Sequence, residues 1–342
     1  MAKSIVKMKK NKKKFLSPKK PNGGIIYNEN SFDLIREKSF LKKYEGKINL
    51  ILTSPPFALN NQKSYGNHEG NSRPNASNEK GGAKSYIEWF SNYAKPLTKL
   101  LTKDGSIVVE LGNSWTQGEP TMSLTSYEAL KTFMEKGKLK LCQEFIWNNT
   151  AKLPGPAQWV TKKRLRAKDS FTKIWWFSKT AYPKADNRKV LVPYSKGMEK
   201  LLRKQKYNAG KRSSGHRINA ESFLSRNNGA IPPNVLNEKF LYKSLPSVIE
   251  ISNTQTTKYA IYCKNEEIKT HDARMPLHIV SFFVDFLTDE GDTVLDPFAG
   301  SNTTGYVSSL KKRKWISIEL DREYIKGSLG WFKSKRYFSQ FK

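Results

Sequence analysis

Six short apolar runs are spaced along the chain, and most of them stop at a glycine, a proline, a serine or an asparagine. The runs are residues 48–52, 106–111, 144–147, 173–177, 293–296 and 314–319. Amphipathic stretches such as 85–101 and 277–287 lie between them, as crossover helices lie between buried parallel strands. We therefore predict an α/β fold with a mostly parallel sheet, in which ligands bind beyond the carboxyl ends of the strands.

The charge of the chain points to a polyanionic partner, with nucleic acid ahead of an anionic membrane. The 342 residues include 61 Lys and Arg against 30 Asp and Glu, a formal net charge of +31. Nine lysines and no acid fall in residues 1–20, and 18 Lys and Arg against three acids fall in residues 161–217. This uneven distribution favours a phosphate-binding surface over a uniformly lysine-rich composition. The alternative for residues 1–20 is a solvated tail, and the alternative for residues 161–217 is a long exposed insertion.

Several classes of protein do not fit the sequence. No stretch reaches the roughly 18 uncharged apolar residues of a membrane-spanning helix, and the lysine-rich N-terminus lacks the apolar core of a secretory signal. Two cysteines, Cys142 and Cys263, cannot make a disulfide framework or a multi-cysteine zinc site. We therefore expect a cytoplasmic protein with no metal site and no membrane partner.

The run that ends at Asp296 leads into a loop of small residues, Pro297-Phe298-Ala299-Gly300-Ser301-Asn302-Thr303-Thr304-Gly305. A strand, a tight turn and a helix in this order let the backbone approach a ligand closely. Glu319 ends the next apolar run, 19 residues after Gly300, a spacing typical of an acid that binds ribose hydroxyls. The loop lacks G-x-G-x-x-G, which favours a nucleoside cofactor without a pyrophosphate.

The first apolar run leads into Thr53-Ser54-Pro55-Pro56-Phe57, a loop with few backbone donors. Two consecutive prolines fix the backbone and remove two N–H groups. The Ser54 oxygen and the Pro55 carbonyl could accept the two N–H bonds of an exocyclic amino group on a base. Phe57 offers a ring face on which an extruded base could stack. The simpler interpretation is that the prolines only end a strand.

Together these motifs resemble those of the amino-group DNA methyltransferases of restriction–modification systems, specifically the β-class N4-cytosine enzymes. Ser54-Pro55-Pro56-Phe57 is similar to the catalytic Ser/Asp/Asn-Pro-Pro-aromatic signature, and residues 296–301 are similar to the cofactor signature Asp-Pro-Phe-x-Gly-Ser. The catalytic motif comes first, a basic region follows and the cofactor motif comes last, which is the β order. The resemblance extends from about Gly23 to Phe332.

The resemblance implies a Rossmann-like methyltransferase sheet with circularly permuted motif order and an inserted target-recognition region. On this basis residues 1–20 form a basic flexible arm and residues 21–180 the catalytic part of the methyltransferase domain. Residues 181–262 form the target-recognition region, and residues 263–342 the cofactor-binding part.

The resemblance also implies S-adenosyl-L-methionine as the cofactor. Its contacts would include Asp296 and Glu319, the latter on the ribose, and the loop residues Phe298, Gly300, Ser301, Asn302 and Thr303. His271 and Arg274 lie in a segment similar to the family's His-Pro-Ala-Arg-Phe-Pro, with Asp272 in place of proline. Asn30 falls where relatives often carry an aspartate that contacts the adenine ring.

Catalytic and DNA-binding roles follow from the same resemblance. Ser54, Pro55, Pro56 and Phe57 form the catalytic loop. Glu110 either polarises Ser54 or lies near the amino group, the alternative being a solvated residue at a strand end. The duplex would be held by residues of the basic segment: Lys162, Lys163, Arg164, Arg166, Lys211, Arg212, His216 and Arg217.

Other activities fit less well. An N6-adenine enzyme is the nearest alternative, because serine at the first motif position goes mostly, but not always, with cytosine. Methylation at cytosine C5 needs a thiolate, typically in a Pro-Cys dipeptide, and neither Cys142 nor Cys263 follows a proline. A non-catalytic nucleic-acid-binding protein or an RNA methyltransferase is a remote alternative. The expected partners are double-stranded DNA and, functionally, a cognate restriction endonuclease, with the enzyme a monomer or a homodimer.

Overall fold

The protein is described by a computed structural model that covers residues 23–58, 82–149, 152–207, 210–219, 221, 223–237, 257–271 and 273–332. The predicted basic arm, residues 1–20, and Asp272 lie outside these described residues. No helix of the described ranges is long and apolar enough to cross a membrane.

A central sheet of eight strands organises the described part of the chain. Its strands are β1 (Gly24–Asn28), β2 (Ile48–Thr53), β3 (Leu101–Leu111), β6 (Lys140–Asn148), β7 (Phe171–Ser178), β10 (Val235–Asn237), β11 (Thr293–Asp296) and β12 (Lys314–Glu319). The spatial order is β1-β12-β11-β2-β3-β7-β6-β10. Strand β7 runs antiparallel to β3 and β6, and the other neighbouring pairs are parallel. The prediction of a mostly parallel sheet is confirmed.

Two small hairpins and ten α-helices complete the described secondary structure. The hairpins pair β4 (Ser114–Trp115) with β5 (Met122–Ser123), and β8 (Gly210–Lys211) with β9 (Arg217–Ile218). The helices are α1 (Ser31–Leu34), α2 (Lys38–Tyr44), α3 (Gly82–Ser91), α4 (Ala94–Leu100), α5 (Thr125–Gly137), α6 (Lys196–Lys204), α7 (Lys258–Asn265), α8 (Leu277–Leu287), α9 (Thr303–Leu310) and α10 (Arg322–Ser328). Single turns of other helix types span Gln158–Lys162, Asn187–Val190 and Leu329–Trp331.

Both faces of the sheet are covered, because alternate residues of each strand point to opposite sides. Ile51 of β2 packs in a core with α3, α4 and α5, whereas its neighbours Leu50 and Leu52 pack in a second core with α8. The continuous apolar runs of the sequence therefore reflect strands that are buried on both faces.

All six apolar runs are strands, and the predicted helix 277–287 has the predicted bounds. The predicted helix 85–101 is two helices, α3 and α4, and its last residue begins β3. Trp175 and Trp176 fall inside the basic range 161–217, for which a phosphate-binding surface is predicted, but they do not belong to an exposed surface. Both lie within β7, where the Trp176 indole is buried and donates to the Ser106 hydroxyl at 2.8 Å.

The sheet topology brings the candidate residues together. Parallel strands β2, β3, β11 and β12 end at the same edge, which carries Ser54, Glu110, Asp296 and Glu319. Because β7 is antiparallel, the connection from the end of β6 to the start of β7 also lies at this edge. We call this edge, with the loops that follow these strands, the carboxyl edge.

Candidate active site

The catalytic loop leaves β2 in a fixed conformation. The hydroxyl of Thr53, the last residue of β2, donates to Asp296 Oδ1 at 2.9 Å and ties the loop to β11. Further along, the hydroxyl of Tyr86 on α3 donates to the carbonyl of Pro56 at 2.7 Å. Pro55 is buried between these two anchors. Ser54 is half-buried and lies between a rigid strand end and a rigid proline pair.

The Phe57 ring lies directly against the backbone at the end of β3. A Cβ atom added at Gly112 would be 2.6 Å from Phe57 Cδ2, too close for any side chain there. The ring is only partly buried, and it packs against the core on the α3–α5 side of the sheet. Gly112 therefore sets the position of an aromatic face beside Ser54.

Glu110 is the acidic partner of Ser54. It lies on β3 with only 3% of its surface exposed, and it accepts a hydrogen bond from the Ser54 side chain. Burial raises the pKa of Glu110 to about 7, although Ser54 and the charge of Lys152 act in the opposite direction. Since the Ser54 hydroxyl donates its hydrogen bond to Glu110, the lone pairs of the Ser54 oxygen remain able to accept a hydrogen bond from another group.

A polar network that the sequence analysis did not predict lies next to this pair. Asp169 accepts from Lys152 Nζ and from Asn113 Nδ2, both at 2.9 Å. The other end of the Asn113 amide, Oδ1, accepts from Lys173 Nζ at 2.7 Å. Lys173 is 0% exposed, its ammonium group lies 4.3 Å from the centroid of the Tyr127 ring, and burial lowers its pKa to about 8. The network joins the end of β3 to the β6–β7 connection.

One sequence signal could have revealed this network. Lys173 begins an apolar run that is otherwise Ile-Trp-Trp-Phe, and lysine is almost never fully buried without a partner. A charged residue inside a predicted strand therefore indicates an internal polar partner. That partner is Asn113, 60 positions away in sequence. It could not be identified in advance, because the contact depends on the antiparallel placement of β7 beside β3.

Asp296 holds the small-residue loop rather than facing outward. Its carboxylate accepts from Thr53, from the Thr304 hydroxyl at 2.7 Å and from the Phe298 backbone N–H at 3.1 Å. Burial raises the pKa of Asp296 to about 6. Both carboxylate oxygens are used within the protein, so the contacts of Asp296 fix the start of the loop.

Glu319 and Gly300 form the centre of the second half of the site. The Glu319 carboxylate accepts from the Gly300 N–H at 2.6 Å and from the Asp321 N–H at 2.8 Å. Burial raises the pKa of Glu319 to about 7. Gly300 has a left-handed φ of +49°, and a Cβ there would approach His271 Nε2 to 2.9 Å. His271 therefore packs on the loop and makes glycine necessary at this position.

The remaining loop residues are mostly engaged with one another. Asn302 has a left-handed φ of +58°, and its Oδ1 accepts from the Gly305 N–H at 3.2 Å and the Ser317 hydroxyl at 2.6 Å. The Ser301 and Thr303 hydroxyls are 3.0 Å apart, and both residues are buried. These contacts hold a tight turn before α9 and leave the backbone of the loop at the carboxyl edge.

Three predicted cofactor residues lie around this loop. Phe298 packs between Trp89 and Tyr93, with ring centroids 5.9 and 5.1 Å apart. Asn30 caps α1 by accepting from the Phe32 N–H at 2.9 Å. Arg274 donates to the Thr257 hydroxyl at 3.1 Å and lies 5.1 Å from the Tyr259 ring centroid, so its described contacts support the segment that carries His271.

The predicted DNA-binding residues fall in two places. Lys162, Lys163 and Arg164 are exposed in the β6–β7 connection at the carboxyl edge, and Arg166 in the same connection is half-buried. The others lie on or beside the β8–β9 hairpin, where Arg212 is half-buried and the rest are exposed: Lys211, Arg212, His216 and Arg217. The first group, in the β6–β7 connection, lies at the same sheet edge as Ser54, and the spacing of these residues in the sequence does not indicate this.

Comparisons with known proteins agree with this architecture. A family model described as DNA methylase, covering N6 and N4 enzymes, matches residues 48–329. Type II methyltransferase M.PvuII of Proteus hauseri is 39% identical over 310 residues, which are 90% of this chain and 83% of that protein. A solved structure of PvuII DNA methyltransferase (cytosine-N4-specific) has a TM-score of 0.66 and 33% identity, and the match covers 91% of this chain and 87% of that one.

A shorter match is to a protein that acts on a different base. DNA adenine methyltransferase YhdJ of Escherichia coli (strain K12) is 42% identical over 64 residues, 19% of this chain and 22% of that protein. A short stretch of the chain is therefore similar to an adenine methyltransferase, whereas the match to M.PvuII at 39% identity extends over 90% of the chain. The chain belongs to the N6/N4 DNA methylase family.

Proposed function

We propose that this protein transfers a methyl group from S-adenosyl-L-methionine to the N4 amino group of a cytosine in duplex DNA. The observation that carries the proposal is the Ser54–Glu110 pair at the same sheet edge as the Gly300–Glu319 loop. Similarity over 83% of the length of M.PvuII, whose solved counterpart is named cytosine-N4-specific, supports cytosine as the base.

The residues at the second loop fit S-adenosyl-L-methionine. Glu319 ends β12 with a carboxylate that can accept ribose hydroxyls, and Gly300 has no side chain between the loop backbone and a ligand. Phe298 adds an aromatic ring at the same place. No phosphate-binding glycine motif follows β11, in agreement with a nucleoside that carries an amino acid rather than a pyrophosphate.

The protein's own residues explain how an unreactive amino group could attack. The lone pair of cytosine N4 is conjugated with the ring, so the free base is a poor nucleophile. Ser54 Oγ and the Pro55 carbonyl accept the two N–H bonds and favour a pyramidal nitrogen with its lone pair available. Glu110 accepts a hydrogen bond from the Ser54 hydroxyl, and this orientation turns the lone pairs of the Ser54 oxygen toward the base. Bound S-adenosyl-L-methionine would supply an electrophilic methyl group and leave as the neutral thioether, and the methylated nitrogen would then lose one proton to solvent, so no covalent enzyme intermediate is needed.

The base must leave the duplex to reach this site. A cytosine within the double helix cannot place N4 between Ser54 and Pro55, so it is extruded and stacks on the partly exposed Phe57 ring. The rigid loop then holds the amino group in position, and positioning accounts for a large share of such catalysis. The loop itself is held by the packing of Phe57 against Gly112 and by the Tyr86–Pro56 hydrogen bond.

Adenine N6 is the second candidate target, because it presents the same type of amino group and YhdJ shares part of the sequence. One experiment separates the two. The protein is expressed in cells that lack DNA methylation, and the DNA is digested to nucleosides for mass spectrometry and sequenced for modified positions. We expect N4-methylcytosine at one short sequence. N6-methyladenine would transfer the proposal to adenine, and unmodified DNA would contradict both.

DNA binding is expected to weaken steeply with salt, because the basic segment releases a counterion for each phosphate that it neutralises. For six or more contacts, raising salt from 50 to 200 mM should lower affinity about 1,000-fold. Replacing Lys162 and Lys163 with alanine should reduce the log–log salt slope by about 2. Fluorescence anisotropy with labelled duplex measures both effects. Lys131→Ala, an exposed lysine paired with Glu135 on α5, is the matched control. A flat salt response would contradict this interpretation.

The wider assignments extend the same proposal. Residues 21–180 and 263–342 would supply the catalytic and cofactor-binding parts, and residues 181–262 the target-recognition region. Strand β10 (Val235–Asn237), within this middle region, pairs with β6 in the central sheet. A cognate restriction endonuclease, a cytoplasmic location and action as a monomer or homodimer complete the proposed role.

A further inference from the structure

Arg166 is stacked on a tryptophan at the carboxyl edge. Its guanidinium carbon lies 3.3 Å from the centroid of the Trp115 ring, in the range of direct face-to-face contact. Trp115 belongs to the β4–β5 hairpin that follows the end of β3, whereas Arg166 belongs to the β6–β7 connection. The stack therefore fixes the plane of the guanidinium group between two loops that border the catalytic loop.

Part of this guanidinium has no hydrogen-bond acceptor. Nη2 donates to the Gly155 carbonyl at 3.3 Å, but Nε and Nη1 are enclosed and meet no acceptor in the part of the chain that the structure describes. Enclosed donors without acceptors are costly and rare in folded proteins. Nη2 has a second hydrogen, so it can bind Gly155 and still donate, and a fork with Nε or Nη1 forms when the surrounding loops open to admit an acceptor. The arginine is thus oriented for an acceptor that the protein itself does not provide.

Charges and hydrogen bonds link Arg166 to the methyl-transfer site. The charge of Asp169 acts on Arg166, and the same carboxylate accepts from Lys152 and Asn113. Lys152 in turn acts electrostatically on Glu110, the partner of Ser54. Arg166 is therefore linked to the position where the target base would be bound through the charges of Asp169 and Lys152 and the hydrogen bond between them.

We propose that Arg166 is a specificity-determining residue that reads the edge of a base next to the extruded target. The ligand is a pair of adjacent acceptors on one base edge, for which O6 and N7 of guanine are the usual partners of arginine. This inference rests on the proposed function. A base edge fits better than a phosphate because Arg166 is fixed by stacking and half-buried, whereas Lys162 nearby is exposed and better placed to follow the DNA backbone.

The test compares Arg166→Met with Lys162→Met. Both variants place methionine in the β6–β7 connection, the first at the stacked arginine and the second at an exposed lysine. Methylation rates are measured on the sequence that wild-type protein modifies and on every single-base variant of it. For Arg166→Met we expect the preference at one position of the site to fall about 10- to 100-fold, with the other positions unchanged. Lys162→Met should weaken all sequences equally and lower the salt slope by about 1.

A second variant guards against a general loss of structure. Trp115→Leu removes the stacking surface and retains Arg166, so it should relax the preference at the same position to a smaller extent. Thermal unfolding and cofactor binding should stay close to wild type in both variants. Equal loss on all sequences by Arg166→Met would identify a phosphate contact and overturn the proposal. Failure of the wild-type protein to methylate cytosine would instead overturn the proposed function.

Discussion

Replacing Ser54 with alanine is expected to lower the rate of methyl transfer by about 100-fold or more, since removal of one positioned group at a reacting centre typically costs that much. The alanine cannot accept an N–H bond of the target base, and Glu110 loses its hydrogen-bond donor. The affinity for S-adenosyl-L-methionine should remain near wild type, because the Gly300–Glu319 loop is unchanged. Single-turnover transfer and calorimetric cofactor binding measure the two quantities separately.

Two further variants sharpen this expectation. Ser39→Ala changes an exposed serine on α2 and should leave both quantities unchanged. Glu110→Gln should reduce the rate and also alter its pH dependence. Burial raises the pKa of Glu110 from 4.5 to about 7, so below that pH the carboxyl is protonated and accepts the Ser54 proton poorly. The wild-type single-turnover rate should therefore rise through about pH 7, and this rise should be absent in Glu110→Gln. A full rate in Ser54→Ala with lost cofactor binding would refute the assignment of the two loops.

The strands and the two loops could be predicted from sequence for a physical reason. Strands buried on both faces must be apolar at consecutive positions, and the loops after them carry the polar residues because the carboxyl edge is where ligands bind. Glu110, by contrast, is named from the resemblance to the amino-group DNA methyltransferases, and the structure places it on a buried strand at that edge. The pairing of Glu110 with Ser54 follows from the parallel register of β2 and β3.

Side-chain partners from distant elements could not be predicted. Asp296 looks like a ligand-binding acid in the sequence, yet its oxygens are engaged by Thr53, Thr304 and the Phe298 N–H. Asn113 is unremarkable as a residue after a glycine, yet it joins buried Lys173 to Asp169. In both cases the partner is brought near by the order of strands in the sheet, which local patterns do not encode.

The antiparallel strand β7 interrupts the basic segment 161–217. The run 173–177 has the composition of a buried strand, but it lies inside the most basic segment of the chain, which suggested an exposed surface. Charge and burial change here over a short distance, because β7 begins only seven residues after exposed Arg164. The net charge of the whole segment therefore suggests one exposed environment, although some of its residues are exposed and others are buried in β7.

Replacing Glu319 with glutamine is expected to weaken S-adenosyl-L-methionine about 10- to 100-fold, the range that corresponds to loss of a hydrogen bond to a charged group. The glutamine keeps the size of the side chain, but its amide offers one acceptor oxygen where the carboxylate offers two. One of the Gly300 and Asp321 N–H groups would lose its acceptor, and the ribose hydroxyls would lose a charged one. Glu323→Gln, an exposed acid on α10 that pairs with Lys326, is the matched control and should bind normally.

The pH dependence of binding distinguishes a ribose contact from a purely structural role. Burial raises the pKa of Glu319 from 4.5 to about 7, so the protein without cofactor retains this proton up to a higher pH than the unfolded chain does. Its contribution to the free energy of unfolding therefore decreases as pH rises between about 4.5 and 7. Ribose hydroxyls bind the ionised carboxylate better, so cofactor affinity should increase through about pH 7 in the wild type. In Glu319→Gln both trends should flatten. A flattened stability profile with unchanged pH dependence of cofactor affinity would mean that Glu319 only holds the loop.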